Sequence, residues 1–519
     1  MTEARGSLNL PQPSSTSLNQ KLMRNQYFFR MTASVMLVFM FANSCQNGDF
    51  LEVKPQGVIN ANNYFQTKDH AIWSVNATYN ALRDWNLTSL PWLAMTDIVT
   101  DDAVKGSFPA DAQRLTAFDD FSWDPGFPED IRGSWRGHYQ GIFRANVAID
   151  GIPKVPVMDE TLRKRLIAEA KFLRAHFYFN LVRWFGDLPL ITRPLTQDEF
   201  YTQTRASVAE VYQLIVGDLT EAVASLPEKS AYAPEELGRA TKGSARGLLA
   251  KVHLTQKDYA NAEKYALEVI NSNEYALLTD YTKIFLPEGE NSSESVFEVQ
   301  ATALEASYAG ATAWNMVQGV RGTPNLGWGF NLPSDDLMKA FEFGDPRRDA
   351  TALLVGEALP DGSALVEDNP QIENERYNQK AWTPAHALLQ DNGPSNIRML
   401  RYADVLLIAA EALNENGKAQ QALTYLNAVR ARARGTRRNI LPDVTVTDKD
   451  ALRQRIWQER RVELAMEQQR WFDLVRTGQA ETRMKAVGKN FLKGKHELFP
   501  IPQTEIDLGG GNLQQNQGY

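Results

Sequence analysis

Two distant segments of the chain repeat one plan, and this repetition constrains the fold more than any other feature of the sequence. In residues 244–272, apolar and small side chains recur at helical spacing on both sides of a short turn. The same spacing recurs in residues 401–433, on both sides of Gly417. Alanines fall where the helices of each pair would cross, as in tetratricopeptide repeats. We therefore predict a mainly α-helical scaffold of helix pairs, too far apart in sequence for a simple solenoid.

Three more segments have helical spacing, residues 62–85, 135–152 and 167–189. The third is apolar nearly all round, which predicts a buried helix, and it should end at Gly186. His176 lies inside it without a second histidine or a carboxylate at metal-ligand spacing. We interpret His176 as a core residue, and we predict neither a metal nor a cofactor for this protein.

Residues 456–478 are predicted to form one helix with two stripes. Trp457, Leu464 and Trp471 recur every seven residues and form an apolar face. The neighbouring stripe is charged and consists of Arg460, Glu463, Glu467 and Arg470. Charges at this spacing on a partly buried helix favour a structural ion-pair network over a catalytic site.

Residues 275–400 have a different composition, rich in Gly, Pro, Asn and Asp. They predict loops and short strands, such as 295–300, laid over the helical scaffold. Loops on a rigid scaffold tend to carry binding residues. The last residues, 497–519, are polar and glycine-rich, and we expect them to pack as an irregular strap.

The charge of the chain bears on its partners. The net charge of −8 disfavours a nucleic-acid partner, which would require a basic face. One arginine-rich stretch, residues 430–438, could suggest such a partner. It closes a predicted helix, however, and cations are favoured at the carboxyl end of the helix dipole. We therefore interpret these arginines as structural.

Cys45 is the only cysteine in the 519 residues, which excludes a disulfide within the chain and a cysteine zinc site. The apolar run before it, residues 31–42, is too short to span a membrane and follows basic residues, as in a secretory signal. We interpret residues 1–44 as a signal peptide, with Met23 as an alternative start. "FANSC" resembles a bacterial lipobox, although Ala replaces the usual Leu, and Cys45 would carry lipid such as palmitate. The alternative is a free thiol.

Several motifs resemble the SusD/RagB family of outer-membrane nutrient-binding lipoproteins, and they occur in the order typical of that family. They are "DFLEVKPQG", "TDDAVKG", "YQGIFRANVAID", "EAKFLRAHFYFNLVRWFGDLPLI", "GRATKGSARGLLAKVHL", "GDPRRDAT", "LRYADVLLIAAEALN", "ERRVELAMEQQRWFDLVRTG" and "LFPIPQTEI…NLQQNQGY". Together they cover essentially all of residues 45–519. One departure is at Met466 and Gln468, where the family more often has Phe and Gly.

The resemblance implies a SusD-like α-α superhelix with a loop-rich ligand-binding portion. It implies one domain over residues 45–519, with an N-terminal region at about 46–230 and a C-terminal region at about 275–519. The implied function is non-catalytic capture of oligosaccharides outside the outer membrane, for a SusC-like TonB-dependent transporter. Some relatives of the RagB type serve peptides instead. A lipid anchor would be the only attachment to the membrane.

Candidate ligand-binding residues follow from this resemblance and from residue chemistry. Sugars stack their CH faces on aromatic rings, while their hydroxyls need carboxylate, amide or guanidinium partners. The loops after the "DDA" turn and around a Gly-Trp segment are where the family places its sugar site. The candidates are Trp328, Trp314, Tyr308, Arg321, Asp101 and Asp102. Either tryptophan could instead fill the core, and the aspartates could cap a turn.

An enzyme and a pure scaffold are the alternatives to a binding protein. A glycosidase needs a positioned acid and base. The aspartate pairs of the sequence are adjacent residues, whose side chains point apart, so none forms such a couple alone. "GGG" at residues 509–511 lacks the Lys and Ser or Thr of a phosphate-binding loop. A pure scaffold would have no ligand at all.

Overall fold

The structure, a computed structural model, describes residues 64–126, 129–302, 310–322, 327–369, 372, 374–384 and 393–519. Residues 65–519 form one compact unit. The α-helices of the described residues are α1 Lys68–Ala81, α2 Trp85–Thr88, α3 Leu90–Leu93, α4 Thr116–Asp120, α5 Glu129–Gly151, α6 Glu160–Phe185, α7 Val208–Ser225, α8 Lys242–Thr255, α9 Tyr259–Asn271, α10 Trp314–Gln318, α11 Asp335–Ala340, α12 Pro346–Thr351, α13 Tyr402–Glu415, α14 Ala419–Arg434, α15 Lys449–Glu463, α16 Arg470–Arg476, α17 Ala480–Ala486 and α18 Gln503–Leu508.

The strands are short and pair two by two. In the described residues they are β1 Ala103–Gly106, β2 Leu188–Pro189, β3 Arg205–Ala206, β4 Ser295–Val299, β5 Phe330–Pro333, β6 Ala352–Leu354, β7 Arg376–Asn378 and β8 Ile397–Arg401. The antiparallel partners are β1 with β5, β2 with β3, β4 with β8, and β6 with β7.

The long helices pack in series, each against the next. The order is α1, α5, α6, α7, α8, α9 and α13, and α13 also packs against α14 and α15. The two helix pairs predicted from the sequence are α8 with α9 and α13 with α14. Contact between α9 and α13 makes these pairs neighbours in space. The β4–β8 ladder joins the two ends of the loop-rich segment between the pairs. The prediction of a mainly α fold with helix pairs is confirmed.

Helix α6 is the buried helix expected from its apolar sequence. Asp159 caps its start by accepting a hydrogen bond from the N–H of Leu162 at 2.9 Å. It ends at Gly186, as predicted, where φ of +72° favours glycine. His176 is buried, its Nε2 lies 3.3 Å from Nδ2 of Asn180, and burial lowers its pKa to about 3. Its environment is that of a core histidine.

The prediction of one helix over residues 456–478 is wrong, because α15 and α16 are separate. Met466 and Gln468 between them have φ of +60° and +58°, in the left-handed region. The Nε2 of Gln468 donates to Oδ2 of Asp97 at 2.8 Å and to the carbonyl of Met466 at 2.9 Å. These side-chain bonds accompany the break and hold the connecting turn against the core. A glycine in place of Gln468 would adopt this conformation at lower cost.

Two residues of the predicted stripe, Glu463 and Glu467, belong to a buried ion-pair cluster, which we call the charge cluster. The other two pair elsewhere, Arg460 with Asp404 and Arg470 with Asp101, each at 2.7 Å. The members of the charge cluster are Glu294, Arg347, Lys380, Arg401, Arg432, Glu459, Glu463 and Glu467. Glu463 contacts both Arg347 and Arg401 at 3.0 Å, and Arg401 also contacts Glu467 at 2.6 Å. All three of these partners are buried. The structural interpretation of the stripe is supported, as is that of the arginine-rich stretch, since Arg432 belongs to the same cluster.

The C-terminal strap is mostly irregular but contains the short helix α18, which was not predicted. The N–H of Phe499 donates to the carbonyl of Trp184 at 2.7 Å, and Nε1 of Trp123 donates to the hydroxyl of Tyr519 at 3.0 Å. The strap therefore seals one side of the core. The predicted signal peptide and Cys45 lie outside the described residues. None of the helices in the described part has the length and apolar character to cross a bilayer.

Candidate ligand-binding surface

A short ladder brings together the two loops that the sequence singled out. Strand β1 directly follows the "DD" pair, and it runs antiparallel to β5, with Gly106 opposite Phe330. Gly106 has φ of +73°, and a Cβ at this position would lie only 2.5 Å from the carbonyl oxygen of Gly329. The loop after β1 is therefore held directly against the Gly-Trp segment before β5.

Arg321 joins these two loops through its guanidinium group. Its Nη2 lies 2.8 Å from Oδ2 of Asp111, and its guanidinium lies 4.6 Å from the centroid of the Phe108 ring. Its Nη1 donates to the carbonyl oxygen of Trp328 at 3.4 Å. Ser107 donates to the same Asp111 oxygen at 2.9 Å. Arg321 thus fixes the positions of Phe108 and Trp328 while part of its side chain faces solvent.

Trp328 pairs with a tryptophan that the sequence analysis did not select. Its ring is half-buried, and its centroid lies 5.9 Å from that of Trp85, with 52° between the ring planes. Trp85 is 41% exposed. We call the exposed parts of Trp85, Phe108 and Trp328 the aromatic platform. The preceding glycine is required by packing, since a Cβ at Gly327 would lie 2.3 Å from the backbone of Gly319.

A polar cleft of about 350 Å³ begins two residues before Trp85, at Arg83. Arg83 donates from Nη2 to Oδ1 of Asn80, and burial lowers its pKa. The other wall of the cleft includes Gln300 and Thr302. Guanidinium, amide and hydroxyl groups are the partners that the hydroxyls of a sugar require. The cleft and the platform therefore share one short segment of the chain, residues 83–85.

Trp314 and Tyr308 differ from Trp328. Trp314 begins α10 and is only 5% exposed, so its ring has no free face for stacking in this structure. Its Nε1 has no hydrogen-bond partner within the described part of the chain. Tyr308 lies outside the described residues, so its role as a candidate stays a prediction.

Asp101 and Asp102 are buried in an ion-pair network. Asp101 accepts from Nη2 of Arg470 at 2.7 Å and from Nε of Arg483 at 2.8 Å, and Asp102 accepts from Nε of Arg461 at 2.7 Å. Burial raises the pKa of Asp101, but the hydrogen bonds and charges of the arginines outweigh it and hold the pKa below its usual range. For Asp102 burial prevails and the pKa is raised. Both carboxylates fix the start of β1 and present no oxygen to a ligand here.

A second buried network lies behind the platform, and the groups that donate hydrogen bonds to its carboxylate, Asp97, are uncharged amides. Oδ2 of Asp97 accepts from Nδ2 of Asn331 at 3.0 Å and from Nε2 of Gln468 at 2.8 Å. Asn331, which lies in β5, also donates to Oε1 of Gln318 at 2.8 Å, and that oxygen accepts from Asn378 at 2.8 Å. Burial, together with the charge of nearby Asp102, outweighs the hydrogen bonds from Asn331 and Gln468 and raises the pKa of Asp97 to about 7.

Sequence reasoning missed Trp85, Phe108 and Arg83. Trp85 and Arg83 fell at the end of a predicted helix, whereas α1 ends at Ala81 and Asp84 caps a new helix by accepting from the N–H of Asn86 at 2.9 Å. The "DWN" sequence was the available signal, because aspartate is a favoured N-cap. Among the described residues, no group of three or more His, Cys, Asp or Glu is arranged to hold a metal ion.

The array of helix pairs with an aromatic surface on its loops defines a class of helical-repeat binding protein. Two family models match: "SusD family" over residues 376–519 and "Starch-binding associating with outer membrane" over residues 49–254. A solved structure described as a laminarin binding SusD-like protein is 31% identical, with a TM-score of 0.74 over 88% of this chain and 100% of that chain. The chain belongs to the SusD/RagB family, as its motifs predicted.

Two further relatives extend this comparison. SusD-like protein P2 of Formosa agariphila is 29% identical over 507 residues, which cover 90% of this chain and 96% of that protein. Surface glycan-binding protein A of Bacteroides thetaiotaomicron, solved in complex with laminarihexaose, is 26% identical. Its structure has a TM-score of 0.75 and covers 87% of this chain and 100% of its own.

Proposed function

We propose that this protein captures oligosaccharides on its aromatic platform and does not cleave them. The observation that carries this proposal is the pair of partly exposed rings, Trp85 and Trp328, with the guanidinium of Arg321 bonded to the Trp328 carbonyl. Arg83, two residues before Trp85, lines a polar cleft. Rings of this kind stack on the CH faces of sugars, and the guanidinium groups donate to hydroxyls. The relatives described as laminarin-binding and glycan-binding support the same class of ligand.

The proposed site separates contact residues from supporting residues. Trp328 and Arg321, with Trp85, would contact the sugar. Asp101, Asp102 and Trp314 are buried, and we assign them to the support of the loops that carry the contact residues. Tyr308 stays a candidate for contact, on the strength of its place in the sequence.

Delivery to a SusC-like TonB-dependent transporter and location on the outside of the outer membrane belong to the same proposal. The family description "Starch-binding associating with outer membrane" supports the location. A lipid at Cys45 would hold the chain there. Cell fractionation tests this anchor: a Cys45→Ser chain should leave the envelope fraction, and its retention with lipid labelling would contradict the assignment.

The test of ligand capture is titration calorimetry with laminarihexaose, maltohexaose and a mixture of tryptic peptides. We expect the protein to bind at least one oligosaccharide, and Trp328→Ala to weaken that binding by about 1–2 kcal/mol, roughly tenfold. Chromatography should recover the oligosaccharide intact. Binding of peptides alone would turn the proposal into the RagB-type alternative, and shortened sugars would contradict the absence of cleavage.

Trp73→Ala is the matched control. Trp73 is 51% exposed on α1 and makes no ring contact with Trp85 or Trp328. Its loss should leave the affinity unchanged. Because Trp328 is half-buried, Trp328→Ala should also lower the melting temperature somewhat, which a circular dichroism melt separates from the change in affinity.

A further inference from the structure

A groove of about 520 Å³ lies away from the aromatic platform, on other elements of the fold. Its walls are α5, the segment from Pro189 to Gln203, and the C-terminal residues 505–513. This volume is within the range of sites that bind small ligands. None of the platform rings lines it.

The walls of the groove are joined by hydrogen bonds, so its shape does not depend on a ligand. The hydroxyl of Tyr139 on α5 donates to the carbonyl of Pro189 at 2.9 Å. Asn512 donates from Nδ2 to the carbonyl of Tyr201 at 3.0 Å, and Arg205 donates to the carbonyl of Gln514 at 2.7 Å. Each bond connects two different walls or their direct extensions. A preformed groove costs a ligand little ordering free energy.

Three aromatic rings stand at the groove with about half of their surface in water. Phe143 is 52% exposed, Phe200 is 53% exposed and Tyr201 is 55% exposed. Leu508, which is 58% exposed, lies at the same groove. Exposed apolar side chains that stand singly need no explanation, but a contiguous group around one groove indicates a binding surface.

The polar side chains of the groove distinguish between classes of ligand. Arg136, Gln140 and Glu505 all line it. Burial raises the pKa of Glu505, against the charges of Arg132 and Arg136. A purely apolar ligand would cover these groups without replacing their bonds to water, which is costly. A sugar offers CH faces to the rings and hydroxyls to a guanidinium, an amide and a carboxyl group.

We propose that this groove is a second carbohydrate-binding site, which takes oligosaccharides through Phe143, Phe200 and Tyr201 with Arg136, Gln140 and Glu505. This inference rests on the proposed function, since it assigns a second site for the same class of ligand. A polysaccharide held at two points on one protein is retained more strongly than at one point, because the second contact is intramolecular.

The test is titration calorimetry of the purified protein with laminarihexaose and maltohexaose, read as stoichiometry and affinity. We expect two sugars per wild-type chain. Tyr201→Ala should weaken one of the two sites about tenfold, Trp328→Ala should weaken the other about tenfold, and the double variant should be weakened at both. Phe343→Ala is the matched control, because Phe343 is 100% exposed and does not line the groove.

The outcomes separate the two proposals. One sugar per chain, removed by Trp328→Ala and unchanged by Tyr201→Ala, overturns the second site and leaves the proposed function intact. One sugar per chain, removed by Tyr201→Ala and unchanged by Trp328→Ala, supports the groove and overturns the platform. A wild-type chain that binds neither sugar overturns both proposals for these glucans.

Discussion

Arginines lie in the charge cluster and beside the aromatic platform, but the cluster supports the fold and the platform is proposed to bind a ligand. Both combine arginine with residues from distant parts of the chain. In the charge cluster, Arg347 and Arg401 are fully buried, and each bonds several carboxylate oxygens. On the platform, Arg321 has one carboxylate partner among the described residues, Asp111, and the rings of Phe108 and Trp328 beside it are partly exposed.

This difference shows that residue type and spacing do not distinguish support from recognition. A buried charge whose partners all belong to the protein has no capacity left for a ligand. An exposed ring next to a guanidinium keeps its face and some of its donors free. The useful distinction is therefore how much of each group's bonding capacity the fold has already used.

The largest expected effect on stability comes from a substitution in the charge cluster. Glu463→Ala would leave Arg347, Arg401 and Arg432 short of a partner in the core. Loss of one member of a buried pair costs about 3–5 kcal/mol. We expect the free energy of unfolding, measured by urea denaturation, to fall by that amount, with unchanged sugar affinity in the folded fraction.

Glu463→Gln tests the same point if the alanine variant does not fold. The matched surface control is Asp150→Ala, which removes an exposed pair with Lys154 and should change stability by less than about 1 kcal/mol. Normal stability together with lost binding would move Glu463 from the support to the site.

The second largest expected effect is a dependence of stability on pH. It arises because Asp97, behind the platform, lacks a cationic partner, unlike the carboxylates of the charge cluster. Its pKa is about 7, above the value of about 3.9 for an unfolded aspartate. The folded state therefore binds the proton more tightly, and this stabilisation is present below pH 3.9 and is lost as the pH rises towards 7. Relative to wild type, Asp97→Asn should gain stability on the order of 4 kcal/mol between pH 4 and pH 8.

Glu463 supplies the opposite sign for this measurement. Burial raises its pKa, but the charges of Arg432, Arg401 and Arg347 prevail and lower it to about 2. Its contribution is therefore present above an unfolded pKa of about 4.3 and is lost as the pH falls. Urea denaturation at several pH values gives the difference in unfolding free energy between each variant and wild type. Plotted against pH, this difference should rise for the Asp97 variant and fall for the Glu463 variant, each over the pH range in which its carboxyl group titrates. Equal slopes would show that the two networks do not differ in this way.

The smallest effect concerns the positioning of the platform. Arg321→Ala removes the contacts to Asp111, Phe108 and the Trp328 carbonyl at a partly exposed position. Exposed ion pairs contribute little to folding, so stability should change by less than about 1 kcal/mol. Sugar affinity should fall about three- to tenfold, as measured by calorimetry. Arg348→Ala, at an exposed pair with Asp349, is the control and should change neither quantity.

The periodic helices were predictable because their amphipathic spacing agrees with their tertiary packing. Helix α6 ends at its predicted glycine, and both helix pairs form as expected. The prediction of one helix over residues 456–478 failed because the apolar period continues through a turn, which Gln468 holds by bonds to the Met466 carbonyl and to the distant Asp97. Periodicity reports which face is buried, and it does not report a left-handed residue within the run.

The candidate site was predictable in its loops and in two of its residues, Trp328 and Arg321, but not in the others. The Gly-Trp segment and the loop after the aspartate pair do meet, through β1 and β5. Trp85 joins them from another part of the chain, and no local pattern encodes such a contact. Asp101 and Trp314 had the right chemistry, but their burial depends on arginines and core residues far away in sequence.

The β1–β5 ladder has a consequence for the order of assembly. Contacts between segments so distant in sequence close a long loop and tend to form late in folding. A partly folded chain therefore has Trp85 and Trp328 but not their pairing, and competence to hold a sugar would arise only as folding is completed. A sugar that contacts both rings would in turn stabilise this late contact, since a ligand bound only by the folded state stabilises it by mass action.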